Sequence, residues 1–375
     1  MSIEARKVAV VCITENGKQL ALKINSLIQD THVYIVSNKK NNLQFENDDK
    51  NIFLVKEKLS ELVEKLFNQY DSIIFIMATG IVVRVIAPYI NSKFSDPAIL
   101  VSDEKGTNII SLLSGHMGGA NELTNYLSSL IGANPVITTA TDINEKSSLD
   151  MIAKKLDAHI DDFRENVKDV NAMLVNNQEV GIYIDGDYEV DTRGFKVLNN
   201  LKSIDNLEKV VVITNKKEVT KETSIIKEID IDNQNSNLHN ELNEKIIKVI
   251  PKDIVVGIGC RRNTESELLQ ESLINLLHDY NIDIKSIKKI GSIDIKHDEK
   301  AIIDLATYLD VEFTTISTEE ISKVDYLFDK SEFVKKNVGV YCVAEPVAHI
   351  LSNKNLIIQK HKYKGITISV GRVSK

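Results

Sequence analysis

Residues 114–119, Ser-Gly-His-Met-Gly-Gly, set a histidine among three glycines. They lie between a stretch apolar enough for a buried strand, 108–113, and one with apolar residues at helical intervals, 120–131. A strand-to-helix turn of this kind points backbone N–H groups and the positive end of the helix outward, and its glycines (Gly115, Gly118, Gly119) allow a ligand to approach closely. An anion or a developing oxyanion fits there, and His116 adds the side chain that exchanges protons near neutral pH. An isolated Gly-His pair is more often only a tight connection with its imidazole bound to a nearby carbonyl. The surroundings favour chemistry: Pro135, Val136 and Ile137 lead into Thr138, Thr139, Ala140, Thr141 and Asp142, read as a second short strand ending in polar groups. Ligands of open α/β sheets bind beyond the carboxyl ends of strands, so the two loops are expected to line one crevice.

Other turns offer further candidates. Ala78, Thr79 and Gly80 follow the buried-type strand 72–77 and open a helix over 81–86, making Arg84 a candidate anion ligand as well as an ordinary surface arginine. The strand 253–259 runs through Gly259 into Cys260, Arg261 and Arg262, where a carboxylate could dock bidentately. This segment lacks the full glycine pattern of a dinucleotide site. Residues 264–267, TESE, match a capping box and start a helix through His278. A strand over 288–295 leads to Lys296, His297, Asp298 and Glu299, ahead of a helix over 300–309 and a second capping box at 317–320. A strand over 338–343 is expected to end at Ala344 and Glu345, and 356–359 with 365–370 to form a hairpin closing the sheet. For Glu299 and Glu345 a structural ion pair at a strand end is as good a reading as a ligand contact.

These turns need a scaffold. Strands over 7–13, 32–36 and 72–77 alternate with helices near 17–29 and 59–67, the signature of parallel α/β construction, with a polar loop or short hairpin at 38–51. A helix from 147, strands at 181–184 and 209–214 and a polar hinge over 215–250 follow. The expected fold class is therefore multi-domain α/β, with parallel or mixed sheets flanked by helices. The expected division is 1–144, 145–250 and 251–375, because 375 residues exceed what one core organises. An apolar fraction of 43% and a charged fraction of 27% describe a soluble globular protein. No apolar run reaches the ~18 residues of a bilayer span and the amino end reads as a strand rather than a signal peptide, so a cytoplasmic location and no membrane are expected. A net charge of −8 argues against nucleic acid as a partner, although Arg261, Arg262 and the basic tail could form a local patch for a small polyanion. Cys12, Cys260 and Cys342 lack CxxC spacing, which suggests neither disulfides nor a zinc site.

With these segments in view, the chain resembles the cobalt-precorrin-5A hydrolase family of anaerobic cobalamin biosynthesis. The resemblance is carried by MATGIVVRVIAP (77–88), KFSDPAILVSDEKG (93–106), SLLSGHMGGANEL (111–123) and PVITTATD (135–142). In the carboxyl-terminal part it continues through VVGIGCRRNT (255–264), SIDIKHDEK (292–300), SEFV (331–334) and GVYCVAEPVA (339–348), whereas 145–250 matches only by position. It implies opening of a δ-lactone on a cobalt-containing corrin precursor, cobalt-precorrin-5A, and release of a two-carbon unit as acetaldehyde to give cobalt-precorrin-5B.

Such a reaction needs a base for water and donors for the oxyanion, which His116 and the Gly118 and Gly119 amides would supply. Asp103 or Glu104 would orient His116 or return a proton, and Asn121 would point its amide at the lactone carbonyl or anchor its own helix. Thr138, Thr139, Thr141 and Asp142 would line the pocket. Gly80, Arg84, Gly115, Gly259, Arg261, Arg262, Lys296, Glu299 and Glu345 would contact the substrate, the cations meeting its peripheral carboxylates and Glu345 also serving as a second acid. The macrocycle itself can accept electrons, so no cofactor is expected and cobalt enters with the substrate. A macrocycle of this size is expected in an interdomain cleft. A homodimer and transient contact with other enzymes of the cobalamin pathway are compatible with this reading. The alternative is a non-catalytic tetrapyrrole-binding carrier of the same pathway. A phosphate-loop reading of 115–121 is weaker because the Lys-Ser/Thr ending is missing.

Overall fold

The computed structural model describes residues 6–37, 50–93, 95–201, 204, 206–219 and 245–374. The expected loop or hairpin at 38–51 and the polar hinge at 215–250 fall largely outside these residues. Two compact units are present, Met1–Lys146 and Ser147–Lys375.

The first unit is built on seven strands: β1 (Val8–Cys12), β2 (Thr31–Val36), β3 (Ile52–Val55), β4 (Ser72–Ile76), β5 (Ala98–Ser102), β6 (Asn108–Leu113) and β7 (Asn134–Val136). Their order in the sheet is β3-β2-β1-β4-β5-β6-β7. Continuous apolar runs such as VAVVC and SIIFI have both faces to bury, as central parallel strands do. Val8, Val10 and Cys12 turn to one face and pack under helices α1 (Glu15–Leu27) and, further along the sheet, α4 (Ala120–Ile131). Ala9 and Val11 turn to the other face, beneath α2 (Leu59–Gln69) and α3 (Thr79–Ile86).

Strand direction divides this sheet into two functional ends. β1 to β5 run parallel, β6 runs antiparallel to β5, and β7 runs parallel to β6. The turns that follow β6 and β7 therefore emerge together at one end, beside the amino ends of β1 to β5. The turns that follow β1, β4 and β5 emerge at the opposite end. The TTATD segment is not a strand end as expected: after β7 the chain stays extended to Thr139 and then closes one helical turn, α5 (Ala140–Ile143), which carries Thr141 and Asp142.

The second unit holds two five-stranded sheets. The first has the order β10-β9-β11-β12-β8, from β8 (Ala158–His159), β9 (Val180–Ile184), β10 (Lys196–Leu198), β11 (Lys209–Ile213) and β12 (Ile246–Pro251). The other has the order β15-β14-β13-β17-β16, from β13 (Ile254–Cys260), β14 (Ile287–Ile293), β15 (Glu312–Ile316), β16 (Leu356–Tyr363) and β17 (Ile366–Arg372). The expected carboxyl-terminal hairpin forms and pairs with β13.

Two expectations fail locally in this unit. Residues 339–343 form no strand: the helix Glu332–Val338 ends at Gly339 in the left-handed region (φ 84°), and Val340 and Val343 then fill the core as irregular chain. The capping box at 317–320 closes, but that at 264–267 does not, because the helix Ser266–Asp279 begins later and Thr264 Oγ1 donates instead to the Arg261 carbonyl. Among the described residues, no helix is long and apolar enough to cross a membrane.

Candidate active site

The turn between β6 and α4 is held from below by a buried arginine. Arg6, directly ahead of β1, donates through Nη1 to the carbonyls of Gly118 (3.2 Å) and Gly119 (3.1 Å) and pairs through Nη2 with Glu122 (2.8 Å). Gly119 is left-handed (φ 83°), and a Cβ there would lie 2.1 Å from the Arg6 guanidinium, so no other residue fits. A Cβ on Gly115 would press on the Asn121 amide. The glycines are thus needed for packing within the turn itself.

Above this base the polar side chains converge. His116 Nε2 lies 2.8 Å from Asp142 Oδ2 and 3.0 Å from Thr141 Oγ1. Asn121, buried at the start of α4, donates from Nδ2 to the same Asp142 oxygen (2.9 Å) and to Thr139 Oγ1 (2.9 Å). Its own orientation is fixed by Ser111 of β6, whose hydroxyl donates to Asn121 Oδ1 (2.6 Å). The hydrogen bond from His116 holds the Asp142 carboxyl below its ordinary value, against the opposing effect of partial burial, with Asn121 adding to the lowering. An ionised Asp142 accepts from Nε2, and the neutral ring then carries its basic lone pair on Nδ1. The His116 side chain is 19% exposed, so a partly exposed imidazole oriented by a carboxylate stands at the sheet end. That is an acid–base pair in geometry.

The expected amide cup is only half present. Gly119 N–H donates to His116 O (3.0 Å), Ala120 N–H to Ser114 O (3.1 Å) and Asn121 N–H to Gly115 O (3.0 Å), so the turn consumes these donors itself. Gly118 N–H makes no hydrogen bond among the described residues.

The structure brings His116, Asn121, Thr139, Thr141 and Asp142 together; Thr138, next to Thr139 in the chain, is exposed. It does not bring Glu104 there. Glu104 follows β5 at the opposite end of the sheet, where it accepts from Thr14 Oγ1 (2.9 Å) and Asn16 Nδ2 (3.1 Å). Asp103 is occupied by the backbone N–H groups of Lys105, Thr107 and Asn108. The carboxylate beside His116 is Asp142, which corrects the assignment to Asp103 or Glu104. Gly80 and Arg84 also lie at that opposite end, with Arg84 Nη1 folded back onto the Gly80 carbonyl (2.6 Å). Ser111 and Arg6 were missed by sequence reasoning; their signals are a serine interrupting an apolar strand and an arginine directly before one.

In the second unit most of the candidate cations and carboxylates satisfy one another. Lys296 and Glu299 form an ion pair (2.9 Å) with side chains 7% and 3% exposed, and Glu299 also receives Thr264 N–H. Glu345 pairs with Lys360 (3.1 Å) in comparable burial. Lys296 is thus paired within the protein, and both glutamates occupy structural ion pairs of the kind weighed for them. Arg262 is spanned between Asp298 Oδ1 and the Ile295 carbonyl, both at 2.5 Å. Arg261 is exposed, and among the described residues its guanidinium has no hydrogen bond or ion pair. At Gly259 a Cβ would lie 2.6 Å from Thr367 Oγ1, a packing reason for glycine.

Comparison with known proteins matches three family models in chain order. They are Cobalamin synthesis G N-terminal over residues 61–142, Cobalamin biosynthesis central region over 147–226, and Cobalamin synthesis G C-terminus over 254–371. A curated relative from Salmonella typhimurium named cobalt-precorrin-5A hydrolase is 36% identical, covering 99% of both chains. One of the same name from Priestia megaterium is 30% identical, covering 97% of this chain and 94% of its own. A solved structure of a putative cobalamin biosynthesis protein G homolog from Sulfolobus solfataricus aligns over 99% of both chains at 24% identity with a TM-score of 0.39. With near-full-length identity at this level, the chain belongs to the cobalt-precorrin-5A hydrolase family.

Proposed function

We propose that this chain hydrolyses cobalt-precorrin-5A, opening its δ-lactone and releasing a two-carbon unit as acetaldehyde to give cobalt-precorrin-5B, in the cytoplasm. Family membership supports the substrate class. The observation that carries the chemistry is the 2.8 Å contact between His116 Nε2 and Asp142 Oδ2, which orients a partly exposed imidazole as a base.

In this reading His116 Nδ1 takes a proton from water as it adds to the lactone carbonyl. The acyl C–O bond breaks, giving a carboxylate and a hydroxyl on the carbon that leaves. Loss of the hydroxyl proton then breaks the carbon–carbon bond: the electron pair passes into the cobalt-bearing macrocycle, which takes up a proton, and acetaldehyde departs. One water enters and one acetaldehyde leaves, with no external oxidant or reductant, and cobalt arrives as part of the substrate. Asn121 and Thr141 keep Asp142 and the imidazole in register.

The test is anaerobic incubation of the purified protein with cobalt-precorrin-5A, with acetaldehyde trapped and quantified. One equivalent per substrate consumed is expected. Corrinoid binding without acetaldehyde would overturn the hydrolase and leave the carrier reading.

A further inference from the structure

Ser114 carries two unfavourable features at once. It is a non-glycine residue in the left-handed region (φ 57°), and its hydroxyl is buried, in a side chain belonging to a residue 8% exposed, with no hydrogen-bond partner. Left-handed backbone disfavours an L side chain, and an unpaired buried hydroxyl has lost its water without replacement. Glycine at this position would remove both penalties. Among the described residues three other buried hydroxyls also lack partners, those of Ser72, Thr124 and Ser128, but each sits on regular strand or helix backbone. Ser114 alone among the described residues combines the two, and it does so two residues from His116. Strain and unpaired polar atoms that persist together mark positions held for function.

The neighbour of Ser114 indicates what that function is. A Cβ added at Gly118 would lie 2.4 Å from Ser114 Cβ and 2.8 Å from its carbonyl oxygen, so Gly118 is packed directly against Ser114. Gly118 N–H is also without a hydrogen bond among the described residues. Two unused donors, one O–H and one N–H, thus belong to two residues packed against each other in the turn that presents the imidazole. A tetrahedral oxyanion requires such a pair, preorganised and shielded from water.

We infer that Ser114 is a catalytic residue whose hydroxyl, together with Gly118 N–H, donates to the lactone carbonyl oxygen as it becomes an oxyanion. It takes the place expected of the Gly119 amide, which the turn has used. The Ser114 hydroxyl is buried in the free protein, so the assignment requires the 114–118 turn to open as substrate binds. The inference rests on the hydrolase reading given above.

The experiment compares wild-type protein with Ser114→Gly and Ser114→Ala, measuring acetaldehyde release for kcat and KM, corrinoid binding by absorbance titration, and Tm. Removal of one oxyanion donor is expected to lower kcat by about 10²–10³ with KM and corrinoid affinity nearly unchanged. Ser114→Gly should at the same time hold or raise Tm, because it relieves the left-handed strain, an outcome a merely structural serine would pair with unchanged kcat. If wild-type protein turns over and both variants keep kcat within twofold, the assignment to Ser114 fails while the hydrolase stands. Activity lost only in proportion to folded protein in both variants overturns it equally. Wild-type protein that releases no acetaldehyde removes the hydrolase reading and this assignment together.

Discussion

The turn after β6 and the turn after β13 follow one plan, a strand running through glycine into a helix, yet they use their polar groups in opposite ways. At 114–121 the Gly119, Ala120 and Asn121 N–H groups are consumed within the turn, and the side chains His116, Asn121, Thr141 and Asp142 converge on one another at the end of the sheet. At 259–264 the side chains close the structure: Lys296 is buried against Glu299, Arg262 is held by Asp298 and Ile295, and the glycine makes room for Thr367. A glycine turn at a strand end is therefore a place where a site can be built, and what builds it is a partly exposed titratable group oriented by a carboxylate.

The largest expected effect breaks the first turn. His116→Ala should lower acetaldehyde release by about 10²–10⁴ while leaving corrinoid affinity nearly intact, as removal of a general base does. Asp142→Asn should also cost roughly a hundredfold or more in kcat, because an amide N–H facing Nε2 forces the ring proton onto Nδ1 and removes the base. The same variant has a signature in stability. Asp142 is held below its ordinary value of 3.8, so its pairing stabilises the fold above that value and is lost as pH falls through the lowered one. Tm of the wild type should accordingly drop more steeply than that of Asp142→Asn below about pH 4. Parallel curves would mean that Asp142 is not coupled to His116 in solution.

How much of this was legible depended on which physical signal each segment carries. The strand Asn108–Leu113 and helix Ala120–Ile131 match the sequence reading to the residue, since an apolar run and a helical interval flank an unmistakable glycine turn. The direction of β6 was not read, although a signal existed: only Asp103 to Thr107 separate β5 from β6. A parallel crossover needs a dozen residues or more, so so short a link dictates a hairpin. That reversal sends Glu104 and His116 to opposite ends of the sheet, while Asp142, 26 positions away in sequence, comes within hydrogen-bond reach. Conversely, the i,i+3 spacing of Lys296 and Glu299 could have announced their pairing. The apolar residues 340–343 looked like a strand because a run this short does not distinguish a strand from irregular core chain.

The second turn should respond in stability rather than in chemistry. Lys296→Met leaves Glu299 buried without its partner, and breaking a buried pair in this way typically costs 3–5 kcal/mol, about the scale to be read as a lowered denaturation midpoint. Arg262, 3.8 Å from Glu299, should retain part of the compensation, so the lower end of that range is expected. Activity per folded molecule should stay within about twofold, and adding Glu299→Leu should recover most of the loss, because an apolar pair no longer strands a charge. A Lys296→Met protein with unchanged stability and a much higher KM would instead put this lysine on the substrate and erase the contrast between the two turns.

The smallest effect is expected from Glu104→Gln, which tests whether the two ends of the seven-stranded sheet are chemically independent. Glu104 is exposed and accepts from Asn16 and Thr14, whose hydrogen bonds hold its carboxyl below the ordinary value. Glutamine keeps one acceptor oxygen for these donors, and an exposed position away from the reacting groups tolerates the change. Acetaldehyde release should remain within about twofold of wild type at every pH at which the protein is folded. The same substitution would be severe if Glu104 oriented the imidazole, as Asp142→Asn is expected to be. Equal losses in the two variants would mean that the chain rearranges during turnover to bring Glu104 to His116, and only then would the sequence-based pairing of these residues be restored.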